Sequence, residues 1–149
     1  RTIAIRDFCI GYKKTSLAPD EIIVEVQIAK IQGGESSWVK LGKRESNALS
    51  IVSASATAKL NNDKFESAKI ALGSVRPTPF LAERASSYLV HKDVNNENIS
   101  IAAEIASTEA QPRATGTKGV SPEYRIAMTK LLTKRALKEA VERARSKGG

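Results

Sequence analysis

The side chains that most often do chemistry are scarce in this chain, and what remains of them is concentrated in one short stretch. Cys9 is the sole cysteine and His91 the sole histidine among 149 residues. No internal disulfide can form, and a Ser-His-Asp or Cys-His arrangement has no spare base to draw on. A metal cluster of His and Cys is excluded by count. Cys9 sits between Phe8 and Ile10, the setting of a small buried hydrophobe rather than a nucleophile. No G-x-G-x-x-G loop or equivalent glycine cradle for a pyrophosphate is present. The remaining candidates are Trp38, Lys40, Lys43 and Arg44. Trp38 and Lys40 stand two apart in an S-S-W-V-K-L-G segment, so an extended backbone places them on one face. Lys43 and Arg44 follow as a basic turn, suited to a phosphate or a partner carboxylate or simply to water. Read structurally, Trp38 is a ring half-buried against a sheet.

These residues need a scaffold, and the composition allows one. The apolar fraction is 41% and the aromatic fraction 5%, so a packed core is expected, built from Ala, Val, Ile and Leu. There is no run of about 18 apolar residues of the kind that spans a membrane, and no secretory signal pattern. The chain opens on Arg1 rather than Met, which reads as a fragment, a processed product or a chain lacking its first residues. The net charge is +8, and between Lys118 and Gly149 nine Lys or Arg stand against three Glu. The basicity is therefore mostly a property of the C-terminal segment. It suggests a nucleic-acid-binding module, but the cations alternate with core positions as in any amphipathic helix, and stacking aromatics are few.

The periodicities supply the elements. Residues 22–29 alternate, with Ile22, Val24, Val26 and Ile28 on one side and Glu25 and Gln27 on the other, which predicts a half-buried strand. Ser36 to Gly42 predicts a short extended segment. The clearest strand is 51–60, with Val52, Ala54, Ala56, Ala58 and Leu60 on one face and Ser53, Ser55, Thr57 and Lys59 on the other. A face made mostly of alanine requires something to approach closely, most simply a helix. Asn61-Asn62-Asp63 predicts a turn, and Phe65 to Leu72 a second strand pairing back on the first as a hairpin. Thr78 and Pro79 read as the start of a helix that carries Leu81, Ala85, Tyr88 and Leu89 on one face. A second helix starts near Asn95 or Asn96 and buries Ile99, Ala102, Ala103, Ala106 and Ala110, with Ile101 and Ile105 widening the stripe. Gln111 to Gly119 is a loop by composition. The last helix is announced by Ser121, Pro122 and Glu123, with Ala127, Met128, Leu131, Leu132, Ala136, Leu137, Ala140, Val141 and Ala144 toward the core. Arg125 in its first turn opposes the helix dipole, which points to a specific acidic partner. Strands followed by grouped helices predict an α+β fold: an antiparallel three- or four-stranded sheet with about three helices packed on one face.

With the elements in order, a resemblance emerges. Arg6-Asp7-Phe8, Gly11-Tyr12-Lys13-Lys14-Thr15 and Leu17-Ala18-Pro19-Asp20-Glu21 resemble the closing segment of the FAD-binding domain in the flavoprotein (medium) subunits of molybdenum hydroxylases, the xanthine dehydrogenase and aerobic carbon monoxide dehydrogenase family. Lys40-Leu41-Gly42-Lys43-Arg44 is similar to that family's lysine-containing basic turn, and Ala48 to Ala58 to its alanine-rich strand. Ala71 to Pro79 is similar to its strand-to-helix junction. Ser121 to Arg125 and Lys134-Arg135-Ala136-Leu137 are similar to its last helix. The signals run in the family's order over nearly the whole chain. Two features depart from it: Thr117, Gly119 and Val120 stand where the family often has an acidic residue and an Arg-Gly pair, and its glycine-rich pyrophosphate segments are not in this sequence.

The resemblance implies residues 1–30 as the end of a FAD-binding domain and 31–149 as the flavoprotein C-terminal domain. It implies part of a multi-subunit molybdenum-dependent oxidoreductase in which FAD relays electrons from iron–sulfur clusters to an acceptor. Molybdopterin and the iron–sulfur clusters would sit on partner subunits, and the N-terminal FAD-binding region would share the flavin. It implies that Lys40 points toward the flavin, with Trp38 walling the ring and Arg44 available to phosphate, in a cytoplasmic heteromer. This stretch alone is then expected to be inactive and to hold FAD weakly. A nucleic-acid module and a purely structural or dimerisation domain are the alternatives.

Overall fold

The computed structural model describes residues 1–29, 32–44, 46–113 and 120–147. A small N-terminal unit, α1 (Ile5–Phe8), β1 (Cys9–Gly11) and β2 (Lys14–Thr15), precedes the main sheet of β3 (Gly34–Gly42), β4 (Ser50–Asn61), β5 (Lys64–Gly73) and β6 (Phe80–Leu81). Helices α2 (Glu83–Leu89), α3 (Asn96–Glu109) and α4 (Pro122–Lys147) follow. The main sheet is antiparallel throughout, in the order β3-β4-β5-β6. The α+β architecture expected from the sequence is what forms, with a four-stranded sheet.

The β4–β5 hairpin follows from its residues. Asn62 and Asp63 adopt φ of 47° and 57°, the left-handed region that Asn and Asp tolerate. Register then brings Ala54 opposite Leu72, Ala56 opposite Ile70 and Ala58 opposite Ala68. These six, with Val52 and Phe65, are buried on one face. Helix α4 crosses β3 and β4 on that face, while α2 covers β5 and α3 packs against both α2 and α4. The approach is close because small residues meet small residues: Ala136 and Ala140 of α4 and Ala102, Ala103 and Ala106 of α3 are all fully buried. A buried bond locks the layers, Ser37 Oγ donating to the Ala136 carbonyl at 2.8 Å. Phe65, Ile70, Leu72, Leu89 and Leu137 fill what the alanines leave, each worth about 1.5–3 kcal/mol relative to exposure.

Helix ends form where the sequence marks them. The Asn95 side chain accepts from Asn98 N at 2.8 Å to start α3, and Ser121 Oγ accepts from Tyr124 N at 3.1 Å to start α4. Each satisfies a backbone donor the helix itself cannot.

Several expectations need correction. Residues 22–29 form no strand, and every one of them is exposed; period-two patterning provides a face but no hydrogen-bonding partner. The helix predicted to begin at Thr78 and Pro79 begins instead at Glu83, because Phe80 and Leu81 pair with Leu72 and Ala71 as the short β6. Ala82 N then donates to Ile70 O, completing the edge before the helix can start. In α4 the first turns rotate so that Thr129 and Thr133, not Ala127 and Leu131, enter the core; Thr129 tolerates this by bonding back to Arg125 O at 2.8 Å. Ile101 is likewise partly exposed. Arg125 donates to the Ser74 carbonyl at 3.3 Å, which ties the start of α4 to the end of β5. Thr117, Gly119 and the boundary at residue 31 lie outside the described residues.

In the N-terminal unit Arg1 donates two 2.7 Å bonds to Glu21, and Ala18 N donates a third. The Arg1 hydrogen bond, then the Ala18 one, hold the Glu21 carboxyl down to about 2. The bracing this carboxylate gives is complete above the ordinary glutamate range and is lost as pH falls toward 2.

Two neighbouring residues of β4 face opposite ways and should respond differently to substitution. Ala56→Leu, under α4, is expected to destabilise the fold by about 1–3 kcal/mol, whereas Thr57→Val should stay within about 0.5 kcal/mol. Urea unfolding measures both, and equal effects would contradict a sheet covered on one face.

Candidate functional site

The face of the sheet turned away from the helices carries the sequence-marked residues. On β3 the side chains alternate, so Ser37, Val39 and Leu41 turn to the core while Trp38 and Lys40 project from the opposite side. Trp38 is 60% exposed rather than half-buried against the sheet. Cross-strand register sets what lies beside it. Trp38, Ser55, Ala71 and Leu81 form one row across the four strands, and Lys40, Ser53 and Gly73 form the next. Directly opposed residues share a face, so the surface is a shallow floor of Ser, Ala and Gly between Trp38 at one edge and Leu81, also exposed, at the other. With strands about 4.8 Å apart the two posts stand roughly 14 Å from each other. A Cβ on Gly73 would lie 2.6 Å from Ser53 Oγ, so a larger residue there would turn the serine hydroxyl aside. Leu81, Gly73 and the floor serines are the members of this surface that residue-by-residue reading missed; the hydroxyl face of β4 was visible, but its neighbours depend on pairing.

Lys40 is held rather than free. Its ammonium donates to Ala48 O at 3.2 Å and sits 5.9 Å from the Trp38 ring centroid, within the range of a cation–π contact. Arg44 does not join this pair. Its guanidinium turns back to the Asn47 carbonyl at 2.9 Å and closes the β3–β4 loop, with Asn47 at a φ of 50°. The structure therefore brings Trp38 and Lys40 together and gives Arg44 a loop-closing bond.

The arrangement presents an aromatic wall, an oriented cation and a flat small-residue floor, open to another molecule or another domain. It offers no nucleophile paired with a base, and among the described residues no group of three or more His, Cys, Asp or Glu is placed to hold a metal. No helix among them is long and apolar enough to cross a membrane. A cleft of about 300 Å³ lined by Asn95, Lys138, Glu142 and Arg145 lies on the helix side, away from Trp38 and Lys40.

The chain belongs to the family described as the CO dehydrogenase flavoprotein C-terminal domain, whose model matches residues 37–140. It is 27% identical to the xanthine dehydrogenase FAD-binding subunit of Escherichia coli O157:H7, over 99% of this chain and 50% of that protein. It is also 27% identical to the carbon monoxide dehydrogenase medium chain of Afipia carboxidovorans, over 98% of this chain and 50% of that one. The crystal structure of quinoline 2-oxidoreductase from Pseudomonas putida 86 superposes with a TM-score of 0.88 at 28% identity, covering 97% of this chain and 49% of that one. The chain thus spans about half the length of the relatives it matches.

The site geometry has a direct optical test, because Trp38 is the only tryptophan. Its emission should be quenched readily by neutral acrylamide. Iodide should quench it too, with the Lys40 cation drawing the anion in. Lys40→Met should then reduce iodide quenching by about 1.5-fold or more while leaving acrylamide quenching unchanged, since it removes a charge at contact range; equal loss with both quenchers would mean that Trp38 itself had moved.

Proposed function

We propose that this chain is the C-terminal part of the FAD-binding subunit of a molybdenum-containing hydroxylase or dehydrogenase, and that its open sheet face closes one side of the flavin site. The observation that carries the reading is the exposed Trp38–Lys40 pair above a floor of Ser53, Ser55, Ala71 and Gly73. The residues fit one portion of the cofactor and not another. A flat ring suits a flat floor with an aromatic post, whereas nothing in this sequence has the glycine-loop character of a pyrophosphate cradle. The phosphates would be held by an N-terminal FAD-binding region, and this chain alone would bind FAD weakly and be inactive. FAD, when bound, supplies electron relay from iron–sulfur clusters to an acceptor. Lys40, positioned by Ala48 O, would favour the added electron density and so raise the flavin's potential. Trp38 would exclude water from the ring's edge. Arg44 serves first to shape the loop that anchors Lys40, and its guanidinium edge remains a secondary candidate for a phosphate.

Residues 1–30 we assign to the end of the FAD-binding domain and residues 31–149 to the C-terminal domain. The support is the uneven burial. Ile22, Val24, Val26 and Ile28 are 72–88% exposed although their alternation is that of a strand, and such a segment is satisfied by joining a sheet outside the described residues. The partners of the assembled enzyme would be that FAD-binding region, an iron–sulfur subunit and a molybdenum subunit bearing molybdopterin.

A nucleic-acid role finds less support. Much of the C-terminal basicity is engaged within the fold: Lys130 pairs with Glu104, Arg143 with Glu139 and the Ser36 carbonyl, Arg145 with Asp63 and Lys147 with Glu35.

Two measurements test the proposal. In the flavin-loaded protein, Lys40→Met should lower the flavin reduction potential by about 30 mV or more, a tenfold shift in a two-electron equilibrium; an unchanged potential would refute the assignment of Lys40. Val24→Asp should weaken association with the FAD-binding region about tenfold or more, roughly 1.4 kcal/mol, as read by titration calorimetry, while leaving the unfolding of the helix-backed sheet where it was. Undiminished association would detach residues 22–29 from the interface.

A further inference from the structure

We propose that Gly42 is a positioning residue for Lys40: the bare backbone at position 42 lets the β3–β4 loop fold back until the Ala48 carbonyl reaches the Lys40 ammonium. The proposal rests on the reading of Lys40 as flavin-facing. Register shows the local device. Leu41 pairs with Val52 but Gly42 pairs with Ser50, so Ile51 is the extra residue of a bulge at the neck of the hairpin. A bulge bends its strand and turns the following backbone, and here the loop returns across the neck. Three of its groups converge on Gly42. A Cβ there would meet Ala48 Cβ at 2.7 Å, Arg44 O at 3.3 Å and Leu49 O at 3.9 Å. The first distance is a collision with an atom fixed to the backbone, so Ala48 as a whole would have to retreat. Ala48 O is the acceptor for Lys40 Nζ at 3.2 Å, a bond already near the long end of the range, which a retreat of Ala48 lengthens or turns. The Arg44-to-Asn47 bond at 2.9 Å ties the loop's tip and leaves the neck as the place where strain must be absorbed. A lysine released from the carbonyl keeps its charge but loses its direction, and the weak ring contact with Trp38 cannot replace it.

The test uses the flavin-loaded protein and the flavin reduction potential, a readout that general loss of stability does not move. Gly42→Ala should lower the potential in the same direction as Lys40→Met and by a smaller amount. Adding Ala48→Gly to Gly42→Ala removes the colliding methyl and should return most of that loss. If Gly42→Ala does not assemble, Ala48→Val crowds the same gap from the other side and is judged by the same criterion. A wild-type potential in the crowded variant, beside a lowered one in Lys40→Met, overturns the positioning role and leaves the flavin reading standing. A wild-type potential in Lys40→Met overturns the flavin reading and the positioning role together. A lowered potential in Gly42→Ala that Ala48→Gly fails to recover also overturns the proposal, because the collision with Ala48 is then not its cause.

Discussion

The seat of α4 on the alanine face of β4 is the contact from which the remaining geometry follows. Alanine at positions 54, 56 and 58 leaves no side-chain bulk between helix and sheet, so the helix comes near enough for Ser37 of β3 to bond the Ala136 carbonyl. That contact has two consequences. It commits one face of the sheet wholly to the core, and it settles which face of β3 is left over. Trp38 and Lys40 are exposed because Ser37, Val39 and Leu41 are needed by α4.

The same contact explains why an all-small open face is stable. A sheet with water on both sides holds together poorly, but here the helix layer supplies the burial and the opposite face is free to be flat. Ser53, Ser55, Ala71 and Gly73 contribute little to the core, and their smallness keeps a broad surface accessible between the posts of Trp38 and Leu81.

Charge is arranged with a similar economy. The cations of the last two turns of α4 reach across the structure: Arg143 to the edge carbonyl of Ser36, Arg145 to Asp63 in the hairpin turn and Lys147 to Glu35. Each sits at the negative end of the helix dipole and touches a different part of β3 or the β4–β5 turn. The exposed pairs contribute modestly one by one. The concentration of positive charge that suggests nucleic acid in the bare sequence is in large part scaffolding.

Much of this was legible in the residues themselves. The β4–β5 hairpin, the caps at Asn95 and Ser121, the shared face of Trp38 and Lys40 and the α+β class all follow from local chemistry: period-two alternation, left-handed Asn and Asp, and side chains that satisfy helix-end amides. What local pattern could not supply was partnership. It offered Ile22 to Ile28 as a strand that finds no pairing partner among the described residues, took Phe80 and Leu81 into a helix when the β5 edge claims them, and put Leu131 in the core where Thr129 and Thr133 lie. It missed Leu81 and Gly73 because only register puts Leu81 on the row of Trp38 and Gly73 beside Ser53. Alternation says that two faces differ; only the packing of α4 decides which one is buried, because burial is a property of two surfaces in contact and a sequence describes them one at a time.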